Sequence, residues 1–533
     1  MPGIMYDLDG DHFYHSRANH LEIINEEYLK SVMRQYKGTQ ITDFVMSING
    51  VLSSVPSKIK TTYAEKYLKE EEMGVPVNYK DTNCIKTAHH VWNVLGLDLY
   101  KIWIDTLKEI NINPWFSFRM NDTHSQIDPM PNFLQSDFFY EHMDDYARIT
   151  GRKPEFYFDR ARNWLIDDVR KEMYDYIKEQ LDAYDIYGVV LDFQREMRCF
   201  PPGREDEGRE IITEFVRQIK ALTVKMGEKY GHYIKLAIRM NPEPQECYEL
   251  GFDIIGYARE GLIDMYIASP RWLSTNSDMP IAYWKTLLKP YGVELAGGTE
   301  RMIQPYPGAP LIWNSSETNQ TVLTHFGNAN NILSQGADKY YVFNSFDETD
   351  EMIDSSCKYF ELIYKSPEIS GQDGTYKDGT YTLLSNAGSM DTIKNHTRKC
   401  MVSFNDFRPV WKKLQGELPL NLTREYFSKA SEPYYLKINT GKVYENDTVY
   451  LRLGVDGNGE DIDILVNDKA VEFICIEDVG FPKATKNKVY KYRIENKNLA
   501  PISQVIELIY RGDTHLTVDY ADILVIPGDK NEK

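Results

Sequence analysis

The sequence predicts a (β/α)8 barrel followed by a C-terminal antiparallel β-sandwich. Three observations carry this. Eight short apolar, β-branched or aromatic runs recur through roughly the first 350 residues, most of them separated by helical stretches, the pattern of a parallel sheet built from βα units. From about Arg398 onward the chain reads as alternating strands with no helix between them. At 533 residues the chain is also long enough for one large barrel and one smaller module.

Taken in order, the eight runs are Ile4–Leu8, Ile41–Met46, Pro114–Phe118, Gly188–Phe193, Ile234–Ile238, Asp264–Ala268, Val293–Ala296 and Lys339–Phe343. Helices are expected between them, among others over Leu97–Ile110 and Leu165–Ala183. The second carries Asp167 and Asp168 in its first turn, where carboxylates complement the helix dipole. From Pro367 the texture shifts to Gly, Asp, Asn and Thr turns, which suggests a barrel over 1–365, a linker over 366–397 and a sandwich over 398–533. The sandwich strands are expected at VYLRLGV, DIDILVN, VYKYRIE, QVIELIY and LTVDYADILVI, with Asp456–Gly457 and Asn458–Gly459 at a hairpin turn.

Composition narrows function. A net charge of −19 argues against a polyanion bound through a broad basic surface, so no nucleic acid partner is expected. There is no apolar run of membrane-spanning length and no basic, apolar signal segment at MPGIMYDLDG. No membrane partner is therefore expected, and the default location is cytoplasmic unless a signal segment has been removed. Six scattered cysteines show neither a C-x-x-C pair nor histidines at zinc spacing, so they read as free thiols. His89 and His90 are adjacent instead of four apart, and no metal or other cofactor is expected. The oligomeric state is left open, a homodimer included. There is no G-x-S-x-G elbow, Walker A loop or dinucleotide fingerprint. An aromatic content of 13%, with 38 Tyr, suits a carbohydrate-facing cleft as well as a large core.

In barrels of this kind, active sites lie at the C-terminal ends of the strands. Reading those ends yields Asp7 and Asp9 after the first run, Asn49 after the second, and Arg119, Asn121, Asp122 and His124 after the third. Asp192, Gln194, Arg195 and Glu196 follow the fourth, Arg239 and Asn241 the fifth, Ser269 and Arg271 the sixth, Glu300 and Arg301 the seventh, and Asn344 and Asp347 the eighth.

Three clusters stand out. In FRMNDTH, Arg119 is placed to grip a carboxylate in two places and His124 to move a proton; the plainer alternative is an Arg–Asp pair holding the loop. In VVLDFQRE, alternation puts Val190, Asp192 and Gln194 on one face, so that Asp192 is either a functional acid or a partner for neighbouring arginines. In IMYDLDG, Met5, Asp7 and Asp9 share a face expected to be the inner one. Two carboxylates there disfavour each other's ionisation, so that either one keeps its proton or both simply hold the strand end through hydrogen bonds. DLDGD lacks the rest of an EF-hand calcium loop. Carboxylates, a histidine and arginines at a barrel mouth suggest glycoside hydrolysis.

The run DVRKEMYDYIKEQLDAYDIYGVVLDFQRE resembles the glycosyl-hydrolase-10-like barrel proteins. With FSFRMNDTH and YDLDG it is most similar to the inverting exo-sialidases of glycoside hydrolase family 156. That resemblance, spanning roughly residues 4–350, implies a sialoside as the glycan substrate and a β-rich C-terminal domain. It implies Asp7 or Asp9, with His124, as the catalytic pair, and Arg119 and Arg195 as holders of the sialic acid carboxylate. Asn344 is implied to bind the sugar, and Asp192, Asn121 and Arg239 complete the expected substrate-binding set. Single displacement with inversion follows, with His124 as base toward water and the strand-one aspartate as acid, or the reverse. Two rivals stand beside it: a retaining glycosidase for neutral sugars using Glu196 and Glu300, and a non-catalytic carbohydrate-binding protein.

Overall fold

The computed structural model describes residues 3–72, 83–123, 135–142, 161–271, 275–300, 302–303, 320–343, 383–403, 418–425, 428–477 and 488–528. Eight parallel strands close into a barrel: β1 (Gly3–Asp9), β2 (Ile41–Ser47), β3 (Asn113–Arg119), β4 (Gly188–Asp192), β5 (Lys235–Met240), β6 (Met265–Ala268), β7 (Glu294–Thr299) and β8 (Lys339–Phe343). Each pairs with its sequence neighbours, and β8 returns to β1 with Tyr341 opposite Met5 and Phe343 opposite Asp7. All eight expected strands are present. The largest extension is at β7, which runs on through Gly297 and Gly298, where no side chain signals a strand.

The two-residue period of each strand sorts its side chains to the two faces. Outward, Ile4, Tyr6, Phe44, Phe116, Val189, Leu236, Tyr266, Leu295 and Tyr340 join one apolar cluster with the surrounding helices. Inward, Met5, Val45, Trp115, Val190, Ala237, Met265, Ile267, Ala296, Tyr341 and Phe343 form a separate plug. Continuing the inward series by one more step on six of the strands gives Asp7, Ser47, Ser117, Asp192, Arg239 and Ser269, every one buried. A polar layer thus rests on the apolar plug, directly beneath the C-terminal mouth.

The helices follow local rules. Leu99–Glu109 starts after Asp98, whose carboxylate accepts the Lys101 amide N–H at 2.9 Å, and it buries Leu99, Trp103, Ile104 and Leu107 on one face. Asp167–Ala183 buries Val169, Met173, Tyr176, Ile177 and Leu181. No described helix is long and apolar enough to cross a membrane.

Ten further strands make two facing sheets: β9 (Arg398–Met401), β10 (Leu420–Leu422), β11 (Tyr434–Asn439), β12 (Thr448–Asp456), β13 (Ile462–Val466), β14 (Lys469–Ala470), β15 (Glu472–Glu477), β16 (Lys488–Ile494), β17 (Ser503–Tyr510) and β18 (Leu516–Ile526). One sheet runs β10-β18-β12-β16-β15 with β9 also on β18, and the other runs β11-β17-β13-β14. Alternate residues of both, such as Leu451, Leu453, Ile464, Ile506, Leu508 and Val518, fill one core between them. The Asp456–Gly459 turn is not a hairpin. β12 pairs with β16 and β18, whereas β13 pairs with β14 and β17, so this turn carries the chain from one sheet to the other. Its glycines report a bend, and they do not report which strands pair across it.

The helix Val322–Ser334 joins the two parts and is buried along nearly its whole length. Gly327 lets β9 approach closely: a Cβ there would lie 2.0 Å from the Lys399 carbonyl oxygen. The Asn330 side chain donates to the carbonyls of Thr440, at 2.7 Å, and Lys442, at 3.1 Å. Leu383, Leu384, Ala387 and Ile393 pack into the barrel's outer cluster ahead of β9.

Candidate active site

The mouth is built on β1. Asp7 is fully buried, and its two oxygens are taken by the Ser47 hydroxyl, at 3.0 Å, and the Tyr341 phenol. Burial is the main cause that raises the Asp7 carboxyl to about 8, and Asp192 adds to it against the opposing pull of Tyr341 and Arg239. One strand-one aspartate is therefore the raised one. It is the deep one, and the chief reason is desolvation instead of repulsion by Asp9.

Asp9, one step further out, is in the opposite state. Burial alone would raise it, but the Arg119 guanidinium bonded to its Oδ2, helped by His12 and Arg195, holds it well below the usual carboxylate range. The other terminal nitrogen of Arg119 donates to Asp122 Oδ2 at 3.3 Å. Arg119 thus spans two carboxylates, one from β1 and one from its own loop. The loop-holding Arg–Asp pair is therefore present, and neither carboxylate is held in two places among the described residues. Phe343 lies beneath, with its ring centroid 6.0 Å from the guanidinium carbon.

Arg239 organises the opposite wall. It donates to Asp192 Oδ2 at 3.1 Å, to Ser269 Oγ and to Glu300, while its guanidinium lies 4.2 Å from the Phe343 centroid. Asp192 also accepts the Gln194 amide N–H at 2.9 Å, so its partner role is the one realised. Burial pushes Glu300 up to about 7, against the pull of Arg239 and Arg195. Glu196, held by Thr123 at 3.1 Å and Arg271 at 3.4 Å, is likewise pushed up to about 7 by burial. Arg195 acts electrostatically on Asp9, Glu196 and Glu300 together, which places its charge between the two walls.

The sandwich reaches this wall indirectly. Ser277 bonds to the Met401 carbonyl at 2.7 Å and to Ser403, and nearby Thr275 and Gln320 both donate to the Glu300 carbonyl.

Of the expected site residues, Asp7, Asp9, Arg119, Arg195, Asp192 and Arg239 come together at or just below the mouth. Asn121 is turned to the backbone: its oxygen accepts the Arg162 amide N–H at 2.8 Å and its nitrogen donates to the Arg198 carbonyl at 3.3 Å. His124, Asn344, Arg301 and Asp347 lie outside the described residues. Four contributors were not singled out from the sequence. Ser47 and Tyr341 follow from the same inward alternation that marks Asp7, while Asp11 and His12 follow β1 immediately.

Among the described residues, Asp9, Asp11 and His12 bring ligand-type atoms within 4.8 Å of one another. Carboxylate and imidazole are suitable donor types for a divalent ion. However, Asp9 Oδ2 is already bonded to a guanidinium, so a cation there would stand against a fixed positive charge.

No family model and no curated protein matches the chain. Solved structures do. The chitinase ChiW from Paenibacillus sp. is 8% identical with a TM-score of 0.40, over 92% of this chain and 52% of its own, so this chain spans about half that enzyme's length. The glycoside hydrolase domain of PgaB from Bordetella bronchiseptica is 9% identical with a TM-score of 0.40, over 70% of this chain and 100% of its own. A glycoside hydrolase family 18 N-acetylglucosaminidase from Paenibacillus barengoltzii is 11% identical with a TM-score of 0.35, over 67% and 98%. All three are glycoside hydrolases and none is a sialidase.

Proposed function

We propose that this protein is a glycoside hydrolase that releases a terminal sialic acid by single displacement with inversion. The observation that carries the reading is the pairing of Arg119 with Asp9 at the barrel mouth, within the field of Arg195. In the free protein the two terminal nitrogens of Arg119 meet two different carboxylates, Asp9 and Asp122, and a substrate carboxylate would take the place of one of them to gain the paired contact. Two guanidinium groups in the cleft also answer the repulsion that a chain of net charge −19 would exert on an acidic sugar.

In this scheme Arg119 and Arg195 orient the substrate through its carboxylate. Asp9, ionised, faces the positive charge that develops on the ring in the oxocarbenium-like transition state. His124 takes the proton of the attacking water. Asp9 is then no longer the acid that β1 was expected to supply, because its carboxyl is held ionised, and Asp7 is sealed beneath it.

The test is a proton NMR time course with an aryl α-sialoside. Appearance of the β-anomer of the free sugar before mutarotation supports the reading. The α-anomer first, or no release, overturns it.

A second reading has its own observation: Glu196 and Glu300, both buried at the mouth, are both pushed up to about 7. That suits a carboxyl pair exchanging protons near neutrality on a neutral sugar. Retention on a neutral aryl glycoside, abolished by Glu196→Gln or Glu300→Gln, would favour it.

A further inference from the structure

The scheme above lacks a proton donor, and the residues just after β1 contain one. We propose that Asp11 protonates the leaving-group oxygen. This rests on the hydrolase reading and completes it.

Of the three neighbouring carboxyl groups on and just after β1, two are already committed. Asp7 is fully buried, and both its oxygens are engaged, by Ser47 and by Tyr341. Asp9 is bonded to Arg119. Asp11, in the first turn of the short helix Gly10–Ser16, stands with its carboxyl, the Asp9 carboxyl and the His12 ring within 4.8 Å of one another. Its Oδ1 is buried and receives no hydrogen bond among the described residues. A carboxylate oxygen left in that state is costly, whereas a neutral carboxylic acid tolerates it. The charged and titratable groups acting on Asp11 agree. Burial and the negative charge of Asp9 raise its carboxyl above the usual range, against His12, His15 and Arg119, and the phenols of Tyr63 and Tyr100 feel its charge from the neighbouring helices. A carboxyl held low at Asp9 beside one raised at Asp11 is the division of labour that two carboxyls of unlike surroundings adopt in acid–base catalysis.

The step balances. As the bond from the anomeric carbon to the leaving oxygen breaks, its electron pair stays on that oxygen, which takes the Asp11 proton and departs as an alcohol. Water bonds to the anomeric carbon from the opposite face and gives its proton to the base, and solvent returns a proton to Asp11.

A proton donor matters most when the leaving group is a poor one, so the test is a ladder of leaving groups. Wild type and Asp11→Asn are assayed on a nitrophenyl α-sialoside, a phenyl α-sialoside and an alkyl-linked sialyl galactoside, with thermal melting to verify the fold. The expected result is a loss of about 10²-fold or more on the alkyl substrate and of less than about tenfold on the nitrophenyl one, together with loss of the alkaline limb of the pH–rate profile. Equal losses along the ladder, or an unchanged alkaline limb, overturn the assignment. Activity abolished by a chelator and restored by a divalent cation also overturns it, because Asp11 would then be an ionised ligand. If the wild type releases sialic acid from none of the three, the sialidase reading itself fails, which the ladder separates from failure of Asp11 alone.

Discussion

Asp7 and Asp9 lie two residues apart on the inward face of β1, and their carboxyls are shifted in opposite directions. The inner one, bonded to Ser47 and Tyr341, is pushed up to about 8 by burial, and the outer one, bonded to Arg119, is held well below the usual carboxylate range. The difference comes from what surrounds each carboxyl, and it has a consequence for stability. The Asp7 carboxyl titrates near 3.8 when exposed and near 8 when folded, so between these values the unfolded chain has released a proton that the native protein retains. Stability therefore falls as pH rises from about 4 to about 8, by at most about 1.4 kcal/mol per pH unit, and levels off above. Asp7→Asn keeps the shape and removes this titration. Urea unfolding of the variant is expected to lose that share of the slope and to gain on wild type progressively from pH 5 to pH 8; parallel curves for the two proteins would contradict it.

Arg119→Lys removes the fork that spans Asp9 and Asp122. An ammonium offers a point charge without the paired donors, so kcat/KM on an aryl α-sialoside is expected to fall about 10²-fold while the protein stays folded. Steady-state kinetics beside a melting curve check this, and near-normal turnover would remove Arg119 from the site.

Arg239→Met deletes the counter-charge shared by Asp192 and Glu300 in the buried polar layer. Breaking such a pair costs about 3–5 kcal/mol. The loss is expected to be smaller at pH 5.5 than at pH 8.5, because Glu300, already near 7, then escapes its charge by binding a proton. Chemical denaturation at the two pH values measures both the size and the sign.

Gly327→Ala tests how the sandwich docks. The added methyl would stand 2.0 Å from the Lys399 carbonyl, so either β9 or the helix Val322–Ser334 must shift. Overpacking of this kind costs about 1–3 kcal/mol, and a lowered melting temperature is the expected readout. Specific activity at 25 °C is expected to be retained.

How much of this was legible beforehand differs from element to element. The barrel strands were readable because both faces of a parallel strand are buried, so IMYDL or KYYVF stands out from its neighbours in hydrophobicity alone. β7 was readable only in its first half, since Gly297 and Gly298 give no such signal. The Asp456–Gly459 turn was misread as a hairpin because turn chemistry is local, while the choice of pairing strand depends on residues far away in the chain.

By itself the sequence determined the architecture and, on the first and fourth strands, which residues share a face, and hence that Met5, Asp7 and Asp9 go together, as do Val190, Asp192 and Gln194. These follow from periodicity, which is written residue by residue. Which carboxyl is charged was decided only by the tertiary structure. A pKa is set by burial and by charges brought from distant strands, Arg119 to Asp9 across 110 positions and Tyr341 to Asp7 across 334. The same is true of Asn121, a binding residue by position and a backbone tie by its contacts, and of Asp11, inconspicuous in DLDGDH until folding sets it beside an ionised neighbour.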